Sequence, residues 1–236
     1  AYDVLGKNVL AVTANSETYS KDELSEAKVL AKMIEVRHLI IQTRELDKKD
    51  FFQNPPNRCY FCKSELFSQL KKIARKEKLN YILDATNYDD LKDFRPGRKA
   101  ACDLGVKSPL AEAGITKKEI RLLSKKMGLP TFAKPAQACL ASRFPYGAEI
   151  TKEKLVQIAR AEEFLRKIGI RELRVRHHGE IARIETLPKQ FPLILREYKI
   201  IVKNLKSLGF TFISLDLEGY RTGSLNEVLK DGQKIS

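Results

Sequence analysis

Asn8-Val9-Leu10-Ala11-Val12-Thr13-Ala14, KDELSEAKVLAKMI from Lys21 to Ile34, and His38-Leu39-Ile40-Ile41-Gln42-Thr43 follow one another along the chain. They read as a buried strand, an amphipathic helix and a second buried strand. Working outward, Lys63–Lys78 predicts a second helix with Leu66, Leu70, Ile73 and Ala74 on one face. Tyr81–Asp84 (YILD) reads as a third strand, ending in the polar run Ala85-Thr86-Asn87-Tyr88-Asp89-Asp90. Strands that alternate with helices imply an α/β fold with a doubly wound parallel sheet and a site at the strand carboxyl ends. Thr13-Ala14-Asn15-Ser16 and Asp84-Ala85-Thr86-Asn87 both fall at such ends. A further helix is predicted from Thr116, whose spacing to Glu119 fits a capping box, and it stops before Gly128 and Pro130.

The periodicity breaks between Pro130 and Gly147, where Pro135, Pro145 and small residues mark a linker with Cys139 in its middle. Beyond it the pattern predicts a helix over Thr151–Ile168 closed by Gly169, and strands over Ile170–Arg176 and Gly179–Thr186. A long helix to about Leu208 and a strand over Thr211–Leu217 complete a small α+β domain. The expected organisation is an α/β domain over 1–132, a linker over 133–150 and an α+β domain over 151–236. No internal repeat or low-complexity segment is visible.

The 236 residues are 43% apolar, enough for a packed core. No apolar run reaches the roughly 18 residues of a membrane span. Four cysteines without a secretory segment suit a reducing compartment, so a cytoplasmic protein is expected. Ala1–Lys7 resembles neither a signal peptide nor a natural start, and reads as the tail of a helix. The net charge of +14, from 44 basic and 30 acidic residues, admits three explanations. These are a Lys/Glu-rich solvated surface such as heat-adapted proteins carry, an anionic small substrate, or RNA. The mixing of Lys with Glu on the predicted helices favours the first.

Cys59 and Cys62 form a Cys-x-x-Cys pair in Asn57-Arg58-Cys59-Tyr60-Phe61-Cys62-Lys63, just before a predicted helix whose N-terminus favours thiolate or metal chemistry. With a distant third thiol, Cys139, the pair can hold a metal by three ligands and leave one position open. The alternative is a zinc knuckle that only staples a loop. Cys102, in Ala100-Ala101-Cys102-Asp103-Leu104, is expected in a helix interior as a small buried hydrophobe rather than a fourth ligand. Ser142 and Arg143, three and four residues past Cys139, suit anion binding beside a thiol. Arg174 and Arg176 lie two apart on a strand and point to one face, as a phosphate clamp requires. An exposed strand face balanced by Glu180 and Glu185 is the plainer explanation. His177 and His178 face opposite ways and are expected to be structural, or at most to hydrogen-bond a substrate. A doubly wound sheet that uses ATP needs a Gly-rich anion cradle at its first strand-to-helix turn, and the sequence contains none.

With these residues assembled, the chain resembles the LarE family, ATP-dependent sulfur transferases of the PP-loop pyrophosphatase superfamily. The matching stretches are Asn57–Glu65 (NRCYFCKSE), Asp84–Ala101 (DATNYDDLKDFRPGRKAA), Lys107–Gly114 (KSPLAEAG), Cys139–Gly147 (CLASRFPYG), Arg174–Ile184 (RVRHHGEIARI) and Leu215–Leu229 (LDLEGYRTGSLNEVL). The resemblance implies a PP-loop ATPase domain over 1–132 and a reaction. Mg2+ and ATP adenylate a carboxylate of a pyridinium-3,5-biscarboxylic acid mononucleotide with release of pyrophosphate. A sulfur nucleophile then displaces AMP to leave a thiocarboxylate, and two rounds give the precursor of the nickel-pincer nucleotide of lactate racemase. Members with all three cysteines are implied to hold a 4Fe-4S cluster on Cys59, Cys62 and Cys139, whose open iron passes on an extra sulfide. In some members, the resemblance implies, the cysteine at the position of Cys139 gives up its own sulfur and the protein is spent.

By the same resemblance Arg174, Arg176 and Glu185 line the pocket for the nucleotide phosphate, with Ser142 and Arg143 close by. Thr13, Ala14, Asp84, Ala85, Thr86 and Asn87 would flank the adenosine, and the chain would assemble into a closed homo-oligomer. The family's Ser-Gly-Gly-x-Asp-Ser phosphate loop is not in the sequence, so the expectation is that it precedes Ala1. The competing readings are a cluster-dependent tRNA thiolase of the same superfamily and a zinc-stapled binding module without catalysis. The absence of zinc-finger pairs at either end counts against RNA as a partner. The sulfide donor is not legible.

Overall fold

Strand β1 (Leu10–Asn15) pairs in parallel with β2 (Arg37–Gln42), Leu10 opposite Arg37 and Asn15 opposite Gln42, with the helix Lys21–Ile34 as the crossover between them. The computed structural model describes residues 1–19, 21–93, 95–134, 138–221 and 223–229. Two compact units emerge, one built from Ala1–Phe51 and Asn57–Gln137, the other from Phe52–Pro56 and Ala138–Lys234. Pro135, expected to interrupt the linker, lies outside the described residues.

In the first unit the helix Arg58–Lys76 packs against the helix Pro96–Asp103 over a small core of Phe67, Ala100, Ala101 and Val106. Gly97 permits that approach, since a Cβ there would lie 2.9 Å from the Lys63 Cγ. Three expectations need correction. The helix begins at Arg58 rather than Lys63, because after Pro55 and Pro56 nothing in the sequence breaks it, so Cys59 and Cys62 lie inside it. The strand expected at Tyr81–Asp84 is reduced to a single parallel bridge, Leu83 to Lys107, closed by Asp84 N–H to Lys107 O at 2.9 Å and Lys107 N–H to Ile82 O at 2.9 Å. Tyr81 and Leu83 are exposed beside it. Cys102 is helical but exposed, since Ala100 and Ala101 take the inward face and the next position turns to solvent. The helix Lys117–Lys126 carries the expected capping box between Thr116 and Glu119.

The second unit is a three-stranded sheet in the order β3 (Leu173–His178), β4 (Ile181–Thr186), β5 (Phe212–Leu215). β3 and β4 are antiparallel, β4 and β5 parallel. The helix Lys152–Lys167 packs on it through Ala161 and Leu165, with Leu155 and Ile158 also buried. With Ile170, Leu173, Val175, Ala182, Ile184, Ile194, Ile201, Leu205 and Phe210 these residues fill the interior. The long helix expected up to Leu208 is divided into Phe191–Arg196 and Tyr198–Ser207, with Glu197 at the break. Bonds from Glu197 N–H to Leu193 O and from Ile201 N–H to Glu197 O carry the turn across it. The segment 52–56 straps the loop after Cys139: Asn54 Nδ2 donates to Pro145 O at 2.7 Å, and Gly147 N–H to Asn54 O at 2.9 Å.

Candidate functional site

Arg174 and Arg176 alternate with Val175 along β3, so Val175 enters the core and both guanidinium groups share the other face. Arg176 is buried and paired, its Nε donating to Glu185 Oε1 at 2.8 Å and its Nη2 to Ser224 Oγ at 2.7 Å. Its Nη1 donates to the carbonyl of Ser142, joining the strand to the turn that follows Cys139. Glu185 also accepts from Arg183 Nη2 at 3.0 Å, while its Oε2 has no hydrogen-bond partner among the described residues.

Arg143 closes the same turn, Leu140–Arg143. Its Nε and Nη2 grip Glu162 at 2.8 and 3.1 Å, and its Nη1 donates to Ala138 O at 3.0 Å, Cys139 O at 3.4 Å and Ser142 Oγ at 3.0 Å. Glu162, fully buried, also accepts from Arg166 Nη2 at 2.8 Å and from the Val175 amide at 3.1 Å. Burial works against the Arg143 charge, but Glu162 outweighs it and holds the group above its ordinary value.

Arg174 differs. No carboxylate pairs with it among the described residues: its Nη1 donates to Arg221 O at 3.2 Å, its Nη2 to Tyr220 Oη at 3.1 Å, and its guanidinium lies 4.5 Å from the Tyr220 ring centre. Burial, with Arg176 and Arg143 as like charges nearby, pushes it below its ordinary value. This half-buried cation without a counter-charge is where an anion is most strongly favoured.

His177 is structural, as expected. It stacks on Phe144 at 5.2 Å, meets Phe210 at 5.5 Å and bonds Gln157 Oε1 at 3.1 Å. Burial, then Lys154, hold it below its ordinary value.

In the first unit Cys59 and Cys62 sit one helical turn apart, Cys59 exposed and Cys62 half-buried, neither of them in a disulfide. Cys62 Sγ donates to Glu45 Oε1 at 3.7 Å. Cys139, half-buried and likewise outside any disulfide, belongs to the second unit. Among the described residues no three His, Cys, Asp or Glu side chains are gathered as a metal site within one constellation.

Of the residues expected at the adenosine, Thr13 Oγ1 bonds His38 Nε2 at 2.8 Å across the two strands, and Ala14 follows it half-buried. Asp84 accepts from Ser108 Oγ and Thr86 Oγ1, each at 2.7 Å, and Asn87 Oδ1 from the amides of Asp89 and Asp90. These side chains shape their own loop, while Ala85 between them is exposed. A groove of about 400 Å³ lined by Lys152, Val156, Arg160 and Leu208 includes none of the three arginines.

Sequence reasoning missed Glu162, Tyr220 and Ser224. Glu162 had a readable signal: it occupies the apolar stripe of Leu155, Ile158 and Leu165, where a carboxylate demands a partner.

No family model matches the chain. It is 36% identical, over 99% of its length and 85% of the relative's, to pyridinium-3,5-bisthiocarboxylic acid mononucleotide synthase of Lactiplantibacillus plantarum. An uncharacterized protein of Synechocystis sp. is 47% identical over 97% of the chain and 86% of the relative. Another, of Methanocaldococcus jannaschii, is 35% identical over 90% and 81%.

Proposed function

The chain belongs to the LarE family, and on that premise we propose that it is a sulfur transferase acting on a pyridinium dicarboxylate mononucleotide. The observation that carries this reading is Arg174, a half-buried cation with no carboxylate partner among the described residues, on the same strand face as Arg176, which bonds the turn following Cys139. It suits the phosphate of a mononucleotide, with Arg176 and Ser142 fixing the floor. Arg143 and Arg176 are held by the buried carboxylates Glu162 and Glu185, so of the three arginines Arg174 is the one without a carboxylate partner among the described residues.

In this reading ATP, with Mg2+, activates the substrate carboxylate by adenylation, and the backbone of Thr13–Ala14 and of Asp84–Asn87 borders the adenosine. Cys59, Cys62 and Cys139 are the proposed ligands of a 4Fe-4S cluster. The fit is chemical: all three are cysteines outside any disulfide, and the first two lie one turn apart on a regular helix. When bound, such a cluster supplies an open iron that carries sulfide to the activated carboxylate.

Iron and acid-labile sulfide measured on anaerobically purified protein should give about four of each per chain, with full loss in Cys59→Ala, Cys62→Ala or Cys139→Ala. Unchanged iron content in any one variant removes that residue from the ligand set. Stoichiometric zinc with no iron would replace the reading by the zinc-stapled module.

A further inference from the structure

We propose that Tyr220 is a positioning residue for phosphate capture: it holds the Arg174 guanidinium aimed at the anion without neutralising it. The inference rests on the mononucleotide reading of the site and names a residue that reading did not use. Three arginines share this face of the second unit, and two are locked by buried carboxylates, Glu162 on Arg143 and Glu185 on Arg176. A carboxylate on Arg174 would fix it equally well but would cancel its charge before any substrate arrived. A phenol does something different. Its ring lies 4.5 Å from the guanidinium carbon and its oxygen accepts from Nη2 at 3.1 Å, while Arg221 O takes Nη1 at 3.2 Å. The side chain is thereby confined, although a free arginine samples many rotamers. A phenol oxygen that accepts from a guanidinium still bears a proton it can donate to an oxyanion.

Tyr220 is itself held by the main chain. Its amide donates to Thr186 O at 3.0 Å, at the end of β4. Gly219 makes the approach possible: with φ of +75° and a hypothetical Cβ 2.6 Å from the same Thr186 oxygen, a side chain there is excluded on both counts. Gly219 and Tyr220 therefore act as a fixed bracket for an arginine on the facing strand.

The test uses the full chain and inorganic phosphate as the probe, titrated by calorimetry. Tyr220→Ala should weaken phosphate binding about tenfold, the size of a lost cation–π contact and hydrogen bond together. Tyr220→Trp should stay within about threefold of the parent, because the stacking face survives. It would also be the only tryptophan of the chain, so its fluorescence should change as phosphate binds. Arg174→Ala should abolish binding.

If Arg174→Ala abolishes binding and Tyr220→Ala leaves it unchanged, the positioning role is overturned and the phosphate site stands. If Arg174→Ala binds phosphate as the parent does, or the parent shows no saturable binding, the mononucleotide reading of this site falls as well. Should Tyr220→Ala fail to fold, the tryptophan variant decides. Binding within threefold with a fluorescence response supports the role, and a silent tryptophan overturns it.

Discussion

The two units differ in where their ion pairs lie, although the first also buries Glu45 and Arg58. In the first, β1 is half-exposed along its whole length, Val29, Met33 and Leu39 face solvent, and ion pairs such as Arg37–Glu77 lie near the surface. In the second, β3 and β4 are largely buried, the interior is continuous, and two arginine–carboxylate pairs sit inside it. Exposed pairs contribute little to stability, whereas a buried pair is conspicuous for the damage done when one partner is removed. The lesson is that the second unit fixes its charges through buried partners. The first offers accessible thiols and loop backbone on less deeply buried elements.

The largest break in that contrast should come from Glu162→Gln, which leaves Arg143, 3% exposed, without its counter-charge. A loss of about 3–5 kcal/mol is expected, read by calorimetry, with amide exchange accelerated in the second unit and unchanged in the first. Equal acceleration in both units would erase the distinction. A smaller effect belongs to the first unit. Thr116→Ala removes the hydroxyl that accepts from the Glu119 amide and breaks the capping box, for about 1 kcal/mol. Faster exchange confined to residues 117–120 is the expected signature.

The finest probe is pH. Burial holds His177 below its ordinary 6.5, so between that lower value and 6.5 the unfolded chain binds a proton that the folded unit refuses. Stability from neutral His177 is thus complete above pH 6.5 and declines as acidification passes below it. The melting temperature of the second unit should fall more steeply from pH 7.5 to 5.5 in the parent than in His177→Asn. Parallel slopes would show that His177 does not carry the effect. His178, lowered by burial and then Arg183, keeps some slope in the variant.

Much of this was legible. The helix Lys21–Ile34 and the capping box at Thr116 follow from local patterns, as do β1 and β2. Tyr81–Asp84 carries a strand's composition but pairs at only one residue, because pairing depends on a neighbour that periodicity does not specify. Cys102 shows the same limit on a helix: its turn was readable, whereas its face depended on which neighbours packed inward. At the site, the shared face of Arg174 and Arg176 came from strand alternation. Which arginine stays unneutralised did not, since Glu162 and Glu185 reach their partners across 19 and 9 residues.

The Arg143 clamp has a consequence for the residue it encloses. The turn around position 139 is tied down through the main-chain oxygens of residues 138 and 139 and the hydroxyl of Ser142. None of these bonds involves the sulfur. A Cys139→Ala chain therefore loses no hydrogen bond of this clamp, and the turn's main-chain anchors do not depend on which side chain position 139 carries.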